Sequence, residues 1–258
     1  MSGCICFRAR RRAPSAAAEE EDKIHRQLST MTTWTCLETP SAHSAEAARR
    51  RMRMLEEYIL DPQRRFVDGG VSSSGVRLSH VMPAGEPLVA KGQIFLPGFF
   101  DISTVLAAIN DIRERRKWDK EMVHYEPIMD VMRDDVMEES LCQVYSAYKG
   151  KFGIMGRDFV WNVYNAWESP EVAYHVSFSQ TDCPRGFEPN DKFVRATTWL
   201  AGYRIARTEG GLSIEFVNQT EIGGRAVPQW IVQSVMKRTP EQLTLLTQYI
   251  HGKGLYDF

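Results

Sequence analysis

No stretch of this chain stays apolar for the roughly 18 residues that a membrane helix needs, so membrane contact is expected to be peripheral and transient. Charge of one sign is not in excess. Lys and Arg number 32 against 33 Asp and Glu, a net −1, which leaves no overall field for nucleic acid or an anionic surface. The six histidines form no HExxH, no GxSxG elbow occurs, and no GxGxxG follows a strand. Neither a metal nor another cofactor is therefore expected, and nothing invites a catalytic reading. The adjacent acids Asp134-Asp135 and Glu138-Glu139 read as solvated surface. Five cysteines (Cys4, Cys6, Cys36, Cys142 and Cys183) include no CxxC pair. A disulfide framework or zinc site does not follow, and a reducing, cytoplasmic setting is expected.

What the chain does have is 43% hydrophobic residues in 258, enough for one large domain. Residues 1–43 lack apolar periodicity and read as a tail or linker. Their first 18 positions carry Arg8, Arg10, Arg11 and Arg12 and no acid. Three readings stay open there: a disordered basic tail, an organelle (mitochondrial) transit segment, or an anchor palmitoylated at Cys4 and Cys6. Myristoylation is disfavoured because Gly3 does not directly follow Met1.

From residue 44 the pattern becomes regular. Ser44 is placed as the N-cap of a helix over residues 45–60, with Met52, Leu55, Ile59 and Leu60 as its apolar stripe and Asp61-Pro62 as its stop. Residues 69–75 read as a flexible Gly/Ser connection, and 76–82 and 88–96 as strands. Val105, Leu106, Ile109 and Ile112 predict one helix over residues 101–118, capped by Asp101 or Ser103. A β-rich block follows at residues 141–149, 157–167, 172–180, 193–207 and 212–222, without helix-length insertions, so antiparallel pairing is expected. A final helix from about residue 227 restarts at Thr239-Pro240-Glu241 and carries Ile231, Val235, Leu243, Leu246 and Ile250 as its apolar face. The fold class is α+β: a curved antiparallel sheet wrapped around a long terminal helix, one domain over residues 44–258, expected as a monomer.

Strand alternation sets candidate faces. Phe159, Trp161 and Val163 share one, with Val160, Asn162 and Tyr164 opposite. Thr197, Trp199 and Ala201 share another, and Val144, Ser146 and Tyr148 a third. Trp118 reads as packing, and Gly202 and Gly223 as turn glycines.

In order along the chain stand Trp118-Asp119, Arg157-Asp158-Phe159-Val160, Val194-Arg195-Ala196, Gly202-Tyr203, Gly223-Gly224 and Pro228-Gln229-Trp230. This set resembles the StAR-related lipid-transfer (START) family, a helix-grip fold, over residues 45–258. The resemblance implies a lipid ligand in a tunnel between sheet and C-terminal helix. The physical task is plain: each methylene hidden from water is worth about 0.8 kcal/mol, so a 16-carbon chain represents roughly 12 kcal/mol that an enclosed cavity must match.

Within the family, the pattern is most similar to the phosphatidylcholine-transfer subgroup. That similarity implies an aromatic enclosure of Phe159, Trp161 and Trp199 for a quaternary ammonium, favoured by cation–π attraction. It also implies that Arg115, oriented by Asp119, holds the phosphate. Ser146 departs from the subgroup, which has an aromatic there, although Tyr148 lies two residues on. Val163 departs from sterol-binding members, which carry an arginine there. The implied ligand site comprises Arg115, Asp119, Val144, Tyr148, Phe159, Trp161, Val163, Trp199, Ile231 and Val235. A sterol carrier, a lipid sensor and a helix-grip cyclase or hydrolase are the alternatives.

Overall fold

Nine strands in the order β1-β2-β3-β10-β9-β7-β6-β5-β4 hydrogen-bond into one sheet, with β8 added beside β6. The computed structural model describes residues 42–150, 154–179, 184–223 and 228–254, all within one compact unit, Pro40–Phe258. Cys4, Cys6, Cys36, Cys183, the basic segment and Val227 lie outside the described residues.

Helix α1 (Ala42–Leu60) begins before Ser44, which is therefore inside the helix and not its cap. Leu55 and Ile59 are buried as expected, whereas Leu60 is exposed. Strands β1 (Val67–Val71), β2 (Arg77–Val81) and β3 (Val89–Pro97) follow. The expected Gly/Ser connection is partly strand: Gly69 and Gly70 sit in β1, where Gly70 takes φ +80° beside a register shift. A bulged edge with no buried side chain has no alternation to read.

The expected single helix over residues 101–118 is two, α2 (Ile102–Asn110) and α3 (Ile112–Trp118). Asp111 breaks it by taking extended backbone and accepting the Arg113 N–H at 2.8 Å, an N-cap in mid-run. Asp101 is at the first N-cap position but makes no side-chain cap. The long strand β4 (Met122–Asp134) was not expected. It pairs antiparallel with β5 (Glu139–Tyr148), is mostly solvated, contains Pro127, and shifts register three times, so period two is lost.

β6 (Arg157–Ser169), β7 (Val172–Ser179), β9 (Thr197–Thr208) and β10 (Gly211–Glu221) complete the antiparallel core of the sheet. β8 (Val194–Arg195) pairs parallel to β6, an exception to the antiparallel expectation. Gly202 is mid-strand and no turn: a Cβ there would stand 2.6 Å from the His175 carbonyl and 2.8 Å from Leu55. Its bareness lets α1 lie close on the sheet. Gly223 does serve a turn, at φ +61°.

The two faces bury different helices. On the convex face α1 packs Leu55 and Tyr58 over Leu141, Tyr164, Tyr174, Val176 and Leu200. On the concave face, α2, α3 and the C-terminal helix cover Ile205, Leu212, Ile214 and Phe216. That C-terminal helix is α4 (Gln229–Arg238), a 3₁₀ turn (Thr239–Glu241) and α5 (Gln242–Gly254), with the elbow at Pro240 as expected. Leu243, Leu246 and Ile250 of α5 are fully buried. Gly92 makes the elbow fit, since a Cβ there would stand 2.5 Å from that of Pro240. The curved antiparallel sheet around a C-terminal helix is the architecture expected.

Candidate functional site

At the β4–β6 end of the concave face, the alternation of β5 and β6 brings one cluster together. Val144, Phe159, Trp161, Val163 and Ala196 are buried in it, with Tyr125, Cys142 and Tyr148 against its edge. Phe159 and Trp161 stack tilted at 4.8 Å between ring centroids. Tyr148 meets Phe159 edge-on at 5.7 Å and Trp161 at 6.3 Å. The Trp161 indole N–H donates to Thr198 Oγ1 at 3.1 Å, which fixes the ring.

Arg115 reaches this cluster from α3. It is 7% exposed, as is Asp119, and its Nε donates to Asp119 Oδ2 at 3.4 Å. Nη1 donates to the Ile109 carbonyl and Nη2 to the Tyr148 hydroxyl, each at 3.3 Å. Burial works against the guanidinium's charge, but the oxygens of Tyr148, Tyr203 and Asp119 outweigh it and hold its pKa above the ordinary value. A guanidinium has five N–H donors. Three are engaged, so two are without a partner among the described residues.

Ser146 lies in the same row, paired across β4–β5 with Tyr125 and across β5–β6 with Phe159. It is fully buried, and its hydroxyl has no hydrogen-bond partner among the described residues. Leaving such a group unmade costs about 1–3 kcal/mol.

Further along the face runs a connected polar chain. Asn165 Oδ1 accepts from Asn110 Nδ2 at 3.0 Å, so His175 Nδ1, also at 3.0 Å, must donate to it. His175 Nε2 is then an acceptor for the Ser177 hydroxyl at 3.1 Å. The connectivity is that of nucleophile, base and orienter. The chemistry is not: burial and the nearby Arg115 charge lower the His175 pKa to about 3, leaving too weak a base to take a serine proton near neutrality.

The structure does not gather every expected residue. Trp199 lines a pocket of about 520 Å³ with Met82, Leu88, Thr220, Ile222 and Met236, under α4. Among the described residues it makes no ring contact with Phe159 or Trp161. Val235 is 54% exposed and Ile231 is half-buried; Met236 is the buried position of α4. Thr198, Ser177 and His175 are buried polar residues beside this cluster that the sequence reading did not single out. Alternation from Trp161 and Ala201 across the strand pairs was the signal that could have found the last two.

The model of the START domain family matches residues 99–242, more than half of the chain. The chain belongs to the START domain family. Among solved structures, it is similar to human StAR-related lipid transfer protein 5 (18% identity, TM-score 0.71), covering 83% of this chain and 99% of that one. It is also similar to human STARD10 (15% identity, TM-score 0.63; 84% and 82% covered). A third is the human StarD13 (DLC2) lipid transfer and protein localization domain (16% identity, TM-score 0.59; 77% and 95% covered). No curated protein sequence matches the chain. In this START domain the ordered motifs are fasteners. Arg195 grips the buried Asp158 through two hydrogen bonds of 3.0 and 2.9 Å and also holds the Phe187 carbonyl. Arg157 donates to the carbonyls of Met155, Ile222 and Gly223, tying two loops together. Among the described residues no helix is long and apolar enough to cross a membrane.

Proposed function

We propose that this START domain holds one phospholipid inside the concave face and carries it between membranes without chemical change, with phosphatidylcholine as the reference cargo. Membership in the family supports lipid binding and transfer. The observation that carries the phospholipid reading is Arg115: a buried, protonated guanidinium, with N–H donors that no described residue takes up, beside a cluster of aromatic side chains. Phosphate is the lipid group that a guanidinium fork suits best. The Phe159–Trp161 pair supplies ring surface for a cationic headgroup. The disabled base at His175 supports carriage over hydrolysis.

Lipid extracted from the purified protein and identified by mass spectrometry is the test. Phospholipid near one per protein is expected. A sterol without phospholipid would overturn the assignment of Arg115. Exchange between vesicles then separates carrier from sensor, because a sensor binds without rapid exchange. For that assay Arg115→Lys is the variant of choice, since truncation would leave Asp119 buried and unpaired and put the fold itself at risk.

A further inference from the structure

The two outer edges of the sheet are blunted against a further strand. β1 shifts register beside Gly70, and β4 shifts three times and contains Pro127. A shorter open edge lies beside them and is not blunted. β3 pairs with β10 from Val89 to Pro97 but with β2 only from Val89 to Gln93, and neither register shifts. Residues 94–97 are therefore paired on one side alone.

The backbone on that edge has a direction. Gly98 donates to the Gly210 carbonyl at 3.0 Å. Alternation then aims Leu96 and Ile94 at β10 too, and aims the N–H and C=O of Phe95 at the open side. Gly75 would be the next rung after Arg77 and Gln93, but at φ +86° it turns the chain away. Neither backbone group of Phe95 has a partner there among the described residues. A groove of about 400 Å³ opens at this point, walled by Thr247, Gln248 and His251 of α5. Ser74 closes one end, its hydroxyl 2.6 Å from that of Thr244. No Asp, Glu, Lys or Arg lines the groove.

We propose that this groove binds an extended, uncharged peptide segment of a partner protein, added to β3 as a strand at Phe95. A peptide backbone supplies the acceptor and the donor that the Phe95 N–H and C=O need, at the spacing of one strand residue. An acyl chain satisfies neither group, and a phosphate meets no fixed cation. The peptide residue opposite Phe95 shares its face and meets a half-exposed ring, which favours a β-branched or aromatic side chain. Its two neighbours point to the side of Ile94 and Thr247, where small polar side chains suit the wall. The proposal holds whichever lipid the concave face carries.

The test selects random seven-residue peptides, displayed on phage, on the full-length protein and in parallel on Phe95→Pro. Proline is tolerated on a strand edge and removes only the outward N–H. Peptides with a β-branched or aromatic centre are expected to be enriched on the wild-type protein alone. The best of them, synthesised, is expected to bind Phe95→Pro roughly two- to tenfold more weakly, the weight of one net hydrogen bond. Phe95→Leu, which keeps the N–H, is expected to bind it better than Phe95→Pro does. Methylating the central amide of the peptide is expected to weaken binding to the unaltered protein by a similar factor, so the result does not hang on how a variant folds. In the free protein the Phe95 amide is expected to exchange its hydrogen faster than those of Ile94 and Leu96, and to slow when the peptide binds. No enrichment over Phe95→Pro, or indifference to the methylated amide, overturns the proposal. A Phe95 amide protected in the free protein also overturns it, since the edge is then already filled. If protection instead rises with protein concentration and Phe95→Pro abolishes it, the occupant is a second copy of the chain and the partner-peptide reading falls.

Discussion

The cluster beneath α1 and the cluster around Phe159 are built from the same strands. β6 sends Tyr164 and Ala166 to the first and Phe159, Trp161 and Val163 to the second; β5 sends Leu141 one way and Val144 the other. On the α1 side the packing is brought close by a missing side chain at Gly202. On the other side the strands leave Ser146, Ser177 and His175 buried, and α3 adds Arg115. Polar atoms without a partner among the described residues lie on both faces: the Ser146 hydroxyl on this one, and the Tyr164 hydroxyl, Asn162 Oδ1 and Gln219 Oε1 on the other. The two faces differ instead in their covers, the single helix α1 on one and α2, α3 and the divided C-terminal helix on the other.

That contrast can be broken by substitution. Leu55→Ala, under α1, is expected to have the largest effect, a loss of about 2–5 kcal/mol in urea unfolding with lipid stoichiometry unchanged. If lipid binding falls while stability does not, the two faces are not separable as described. His175 comes next, through pH. Its pKa is about 3 in the folded chain against 6.5 for an ordinary histidine. Between those values the unfolded chain binds more protons, so stability falls as pH is lowered through that window. The slope is up to about 1.4 kcal/mol per pH unit. His175→Gln is expected to flatten the stability–pH curve below pH 6.5 relative to wild type, and parallel curves would refute the buried neutral assignment.

Tyr148→Phe removes the hydroxyl that Arg115 touches. It is expected to cost about 1 kcal/mol of stability and to slow phospholipid exchange, with the larger relative effect on exchange. Val235→Ser, on the exposed side of α4, is expected to change stability by less than about 0.5 kcal/mol, as judged from thermal unfolding. A larger loss would mean that α4 is held more tightly than its burial indicates.

Strands with clean alternation were readable because one face of each is buried: β6 divides Phe159 and Trp161 from Tyr164 as period two requires. β4 was not, since three register shifts and a solvated edge erase the signal. Asp111 was hidden inside a helical pattern that its own side chain interrupts. At the site, Arg115 and Asp119 are joined by local i,i+4 geometry that spacing alone can give. Trp199 was less legible, because β9 shifts register against β10 between Thr198 and Leu200 and alternation does not fix its neighbours there. Gly202 shows the same limit, because a contact with a helix some 150 residues earlier has no local signature.

The proline elbow divides the last helix into two unequal holdings. α5 is moored in the core by Leu243, Leu246 and Ile250, with Pro240 seated on the bare backbone of Gly92. α4 has Met236 alone as a fully covered anchor, against Leu88 and Ala90. Uncovering one such side chain takes about 1.5–3 kcal/mol, a few times thermal energy, whereas freeing α5 would dismantle a core. Damage to α4 is therefore expected to cost the frame far less than damage to α5.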